Sequence, residues 1–306
     1  MKLTVGSQEQ TLADMVDQVQ AYVRSFTKDQ DVSTYLVEDL PADGYTLKVA
    51  EGNMVSRGRA QVGDEVVYIS DVDRSKGEAT IAPFGRGMDG TDVVAHASGE
   101  MVTTNPLYPR HVVARAINQT ISAMAGTLYE IKSFQVPAKA IGFNYELPED
   151  TRHVINVSYV AKPQSYKYPT YARNWNFDQN ADPELSSTGK AVMIYDVITP
   201  LFTFTITYGR MLQQLEDMTT PVTESGVPPT AYDVVVLGAA SKLLSVASAA
   251  LLQSQAIEAS VVNEKVGPEQ ATNQSKYLYG LYQQRLAEER DLLLSQTVIR
   301  SRRQRG

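Results

Sequence analysis

The heptapeptide Phe84-Gly85-Arg86-Gly87-Met88-Asp89-Gly90 carries the glycine spacing G-x-G-x-x-G. In a dinucleotide-binding protein that spacing lets backbone N–H groups approach a pyrophosphate at the N-terminus of a helix. Here Thr91-Asp92-Val93-Val94 follows, a β-rich run in place of the helix, so the segment is predicted to be a glycine turn supplying positive φ between strands. His96, His111 and His153 are far apart, with neither H-x-x-x-H nor H-E-x-x-H spacing. The chain has no cysteine, which removes thiol nucleophiles, thiolate zinc sites and disulfides together. The acid pairs Asp71 with Asp73 and Asp89 with Asp92 read as solvated turn acids, since no EF-hand loop surrounds them. Ser98-Gly99 lacks a nucleophile elbow and Gly189-Lys190 lacks a phosphate cradle. Glu146 and Glu149 could act as an acid–base pair only if folding brought them into one cleft. The expectation is no catalytic residue, no metal and no cofactor.

Two groups offer binding chemistry instead. Tyr159, Tyr166, Tyr168, Tyr171, Trp175 and Phe177 cluster in sequence, and Tyr168, Tyr171 and Trp175 are the candidates for a surface platform that stacks on sugars or bases. The plainer reading is a loop packed by its own tyrosines. At the C-terminus Arg300, Arg302, Arg303 and Arg305 are candidates for a partner-binding arm, because guanidinium groups pair bidentately with carboxylates and phosphates. Part of that clustering would also favour the negative end of a helix dipole.

The elements that position these residues follow from hydrophobic period. Leu12, Met15, Val16, Val19, Tyr22, Val23 and Phe26 recur at three- and four-residue steps behind Thr11 as N-cap, and Val112, Val113, Ala116, Ile117, Ile121 and Met124 repeat the pattern after Asn105-Pro106. A long helix after Pro228-Pro229 has a middle of small residues, and a last helix starts at Gly267-Pro268. Helices are predicted over 11–26, 109–126, 230–258 and 269–299, with Val16, Val19, Val112, Ile117, Leu244, Leu251, Leu278 and Leu286 in their core. Between them lie short β-rich runs such as Glu65-Val66-Val67-Tyr68-Ile69, and the strictly alternating Phe202-Thr203-Phe204-Thr205-Ile206-Thr207-Tyr208. The order predicts an α+β fold: a discontinuous helical bundle hub (1–30, 106–130 and 223–306) carrying two antiparallel β insertions. These are a first β module, 31–105, and a β-sandwich-like block, 131–222.

With 306 residues the chain exceeds the common single-domain size, and 43% hydrophobic against 21% charged residues predicts a folded, soluble protein. Net charge −7 opposes a general nucleic-acid coat, which needs an excess of cations on its contact face. Met1 to Gly6 shows no secretory pattern, and Asp233 and Lys242 inside the most apolar stretch, 231–252, argue for a buried helix rather than a membrane span.

Two segments resemble the head-to-tail adaptor (head-completion, connector) proteins of long-tailed bacteriophages, of the actinobacterial siphophage type. The first runs from Arg57-Gly58-Arg59 through Gly85-Arg86-Gly87-Met88-Asp89-Gly90-Thr91, then His96 and the Asn105-Pro106 to Ile117-Asn118 helix start; the second is Tyr277-Leu278-Tyr279-Gly280-Leu281-Tyr282-Gln283-Gln284-Arg285-Leu286-Ala287-Glu288-Glu289-Arg290. The resemblance implies a structural virion protein made in the host cytoplasm, without enzymatic activity or membrane contact. It implies a homo-oligomeric, dodecameric ring that joins the portal protein to the next neck or tail-completion protein. DNA would pass through the channel without sequence-specific binding, and Arg300 to Arg305 would reach a portal-type ring or a neighbouring subunit. Adaptors of this kind are usually small helical bundles, which the block from Phe134 to Tyr208 departs from. The alternative is a carbohydrate-binding tail or baseplate module acting through the aromatic block; a glycan-active hydrolase is a third reading.

Overall fold

A computed structural model describes residues 9–26, 31–139, 143–160, 169–184, 186–196, 202–258 and 268–296. In chain order the elements are α1 (Leu12–Arg24), β1 (Val32–Tyr35), β2 (Thr46–Lys48), β3 (Gly58–Val62), β4 (Glu65–Asp73), β5 (Glu78–Ile81), β6 (Met101–Thr104) and α2 (Arg110–Met124). They continue with β7 (Glu130–Pro137), β8 (Asn144–Glu146), β9 (Thr151–Val160), β10 (Thr170–Tyr171), β11 (Trp175–Asp178), β12 (Ala191–Ile194), β13 (Thr203–Arg210), α3 (Tyr232–Glu258) and α4 (Pro268–Gln296). The chain divides into two compact units: Ala13–Ile117 with Val236–Tyr279, called the first unit here, and Met1–Leu12, Asn118–Val235 and Gly280–Gly306, the second.

The first unit is organised by a six-stranded antiparallel sheet in the order β1-β6-β3-β4-β5-β2. The β3–β4 hairpin pairs Val62 with Glu65 and Arg59 with Tyr68. Its turn starts at Gly63, with φ 56, a left-handed backbone that favours glycine, and a Cβ there would press on the Glu100 carboxylate. One face of the sheet buries Leu36, Leu47, Val62, Val67, Ile69, Ile81 and Val102, each at most 2% exposed. Arg110, at the start of α2, fixes that helix by pairing with Asp17 of α1 and Asp64 of the hairpin turn, while its backbone N–H donates to Gln61 Oε1.

The second unit holds a four-stranded sheet, β10-β9-β13-β7, and a three-stranded sheet, β11-β12-β8, both antiparallel. One apolar cluster joins them: Tyr145 and Val192 from the small sheet meet Val157, Phe204 and Ile206 from the large one. Tyr145 and Phe204 pack edge to face with centroids 5.4 Å apart. At the end of the large sheet Arg210 bridges Asp150 and Glu130. The carbonyls of Ala125 and Gly126, just past α2, accept from the Arg152 guanidinium, which satisfies groups that a helix end leaves open. Arg285 of α4 pairs with Asp233 at the start of α3 and with Glu288 and Glu289 on its own helix; Glu289, buried, also accepts from Thr230 Oγ1. The second resembling segment is thus a clamp between the beginning of α3 and the middle of α4.

The helical hub expected from the sequence is corrected by this architecture. Among the described residues thirteen strands in three antiparallel sheets stand against four α-helices, so the fold is mixed but strand-rich. The four helices lie where the sequence placed them, and Val16, Val19, Ile117, Leu244, Leu278 and Leu286 are buried. Their residues are nevertheless shared between two units that each contain sheet cores, and Val112, expected inside, is 36% exposed. An apolar stripe demands a cover without naming it, and sheets supply that cover as readily as helices do. Thr91 to Val94, expected as a strand, has no regular structure.

Candidate functional site

The strongest concentration of charge lies inside the first unit. Glu65 opens β4 with a fully buried carboxylate. Its Oε1 accepts from Arg86 Nε at 2.7 Å and from the Gly87 N–H at 3.0 Å; Oε2 accepts from Arg86 Nη2 at 2.9 Å and the Val94 N–H at 3.2 Å. His96 Nε2 faces Oε2 at 2.9 Å, and His96 Nδ1 faces Glu100 Oε2 at 3.1 Å. Both ring nitrogens thus meet carboxylates, and both bonds form together when each nitrogen carries a proton. Burial pushes the Glu65 carboxyl up, but hydrogen bonds from Arg86, His96, Gly87 and Val94 outweigh it and hold the group at about 2.

The rest of the Arg86 guanidinium gathers loops. Nη1 donates to the carbonyls of Pro41, Ala42 and Gly44, and Nη2 to that of Val94. Gly87 stands at φ 60, where a Cβ would lie 2.8 Å from Val93 Cγ2 and 2.9 Å from the Thr91 carbonyl. Three loops, 41–45, 82–87 and 91–95, therefore converge on one buried cation. The glycine spacing serves this pin: Met88 to Gly90 form one short, irregular turn with Asp89 in the left-handed region at φ 58, followed by extended Thr91 rather than a helix.

What the pinned loops leave outside is apolar. Tyr45, Tyr68, Val93 and Val94 are each about half exposed, and Phe84 is 93% exposed. Phe84 also sits at φ 61, a left-handed conformation that costs a residue with a side chain roughly 1–2 kcal/mol. Hydrogen bonds on both flanks impose it, from Tyr68 N to the Gly85 carbonyl and from Ala82 N to the Tyr68 carbonyl. Beside this point Arg59, Ala60, Val66, Pro106, Val112 and Arg115 line a cleft of about 480 Å³. In it Arg59 Nη2 pairs with Asp89 at 2.9 Å, and His111 Nε2 lies 4.0 Å from the same carboxylate. Burial lowers the His111 pKa, partly offset by Asp89.

Other candidates from the sequence are placed as follows. Arg300, Arg302, Arg303, Arg305 and Tyr168 lie outside the described residues. Tyr171 is exposed on β10, whereas Trp175 is half-buried on β11 against the core of the second unit, so these two belong to different sheets. Glu146 accepts from Ser187 Oγ and Thr188 N, which holds its carboxyl below the usual range, and Lys190 Nζ donates to the carbonyls of Glu149 and Thr151. Asp71 pairs with Arg57, and Asp73 caps its turn through Ser75 and Lys76. Ser98 Oγ donates to the Val37 carbonyl. Among the described residues no group of three or more His, Asp or Glu is placed to hold a metal ion. Sequence reasoning missed the Glu65–Arg86–His96–Glu100 network. Its signal was four ionisable residues in apolar β surroundings, but Glu65 and Arg86 are 21 positions apart and only the fold joins them.

No protein-family model matches the chain, and no curated protein is significantly similar to it. Among the described residues no helix is long and apolar enough to cross a membrane.

Proposed function

We propose that the chain is a structural virion protein, the subunit of a homo-oligomeric, dodecameric ring joining a phage portal to the next neck or tail-completion protein. The observation that carries this reading is how the two resembling segments use their charges. Glu65, Arg86 and His96 are sealed in a loop pin, Arg285 and Glu289 clamp two helices, and the most exposed large apolar side chain among the described residues is Phe84, at 93%. Residues that could have served catalysis are engaged in holding backbone, and what they present is contact surface. Net charge −7 supports free passage of DNA through such a ring, because like charge keeps a polyanion from adhering.

The test is negative-stain imaging of the full-length chain with and without purified portal rings. Docked rings of added density are expected, together with no retention on immobilised glycans. Portals that remain bare while the chain binds glycans would replace the reading with the carbohydrate-binding one. Bare portals without glycan binding would also overturn it.

A further inference from the structure

Beyond that reading, and independent of it, we propose that the free chain pairs with a second copy of itself by mutual insertion of Phe84 into the cleft beside Arg59. Phe84 is the only large apolar side chain among the described residues more than nine-tenths exposed, and its strained backbone is held by hydrogen bonds that gain nothing from the ring itself. The cleft, at about 480 Å³, has room for a phenyl ring. Ala60, Val66, Pro106 and Val112 give it apolar walls, and Arg59 and Arg115 supply guanidinium groups that favour an aromatic face. Asp89 already balances Arg59, which weakens the case for a free anion as occupant.

One residue of β4 links the loop of the knob to the wall of the cleft. Tyr68 N bonds the carbonyl next to Phe84, and Tyr68 stands opposite Arg59 in the β3–β4 register, so its side chain shares a sheet face with a residue of the cleft wall. A knob and a hole adjacent on one surface are self-complementary across a two-fold axis, whereas a head-to-tail contact needs them on separate surfaces. Tyr68, whose backbone bonds the carbonyl next to Phe84, is itself exposed and extends the apolar contact.

Sedimentation velocity of the full-length chain over a concentration series up to about 200 µM tests the pairing, with Phe84→Gly as the knobless variant and Val112→Arg as the blocked cleft. Wild type is expected to pass from monomer to dimer, and each variant to weaken the dimer at least about tenfold. Neither variant should lose melting temperature, since Phe84 is exposed in a conformation glycine prefers and Val112 lies at the surface. An equimolar mixture of the two variants retains one intact knob facing one open cleft, and should associate where neither does alone. Wild type monomeric throughout, Phe84→Gly pairing as tightly as wild type, or a mixture that stays monomeric would each overturn the proposal. A monomeric wild type that still docks on portal rings would remove the pairing and leave the ring reading standing.

Discussion

Replacing Glu65 by Gln tests the buried ion network with almost no change in volume. The carboxylate accepts from Arg86 and Gly87 on one oxygen and from Arg86 and Val94 on the other, while His96 faces the second. An amide NH₂ turned either way meets donors, and the Arg86 side chain, 4% exposed, loses its counter-charge. Breaking a buried pair from one side costs about 3–5 kcal/mol. The same hydrogen bonds hold the Glu65 carboxyl at about 2 in the folded chain against an ordinary 4.5, a shift that contributes on the order of 3 kcal/mol. Because the folded value is the lower one, that contribution is fully present above pH 4.5 and is lost as pH falls toward 2. Urea melts of wild type and Glu65→Gln across this range should therefore show a gap of about 3 kcal/mol near neutral pH that narrows on acidification. A gap under about 1 kcal/mol at neutral pH, or one that does not narrow, refutes the assignment of Glu65 as the charged centre of the pin.

Phe84→Gly should raise stability by up to about 1 kcal/mol in the same melts by removing the left-handed strain, and a loss instead would show that Phe84 packs somewhere. Leu286→Ala, at a site 8% exposed, should cost roughly 2–5 kcal/mol, and a value typical of surface positions would count against its burial. Glu289→Gln weakens the buried contacts with Arg285 and Thr230 and should cost about 1–3 kcal/mol, read as a lowered melting temperature that high salt does not mimic. Removing residues after Ile299 should leave the melting temperature unchanged while weakening portal docking in a salt-sensitive way; equal docking across a salt series would reduce the arginines to a solvated tail.

Local order was legible in the sequence. The 3.6-residue period placed α1 and α2, proline and glycine punctuation placed α3 and α4, each to within a few residues, and strict alternation from Phe202 to Tyr208 marked β13, whose Phe204 and Ile206 face the core. The absence of a helix after Gly90 correctly read the glycine segment as a turn. These features depend on neighbours a few positions apart, and burial acts on them through spacing alone. The strand-rich balance was not legible, because short strands such as β8 and β12 carry little pattern by themselves and become a sheet only through long-range pairing. Nor was the pin. Nothing local in the sequence marks Arg86 as buried; only the fold brings Glu65, His96 and the carbonyls of Pro41 and Gly44 around it. A buried charge is tolerated only where partners from distant segments converge, so its role exists at the tertiary level alone, and with it the decision that Phe84 is held outside.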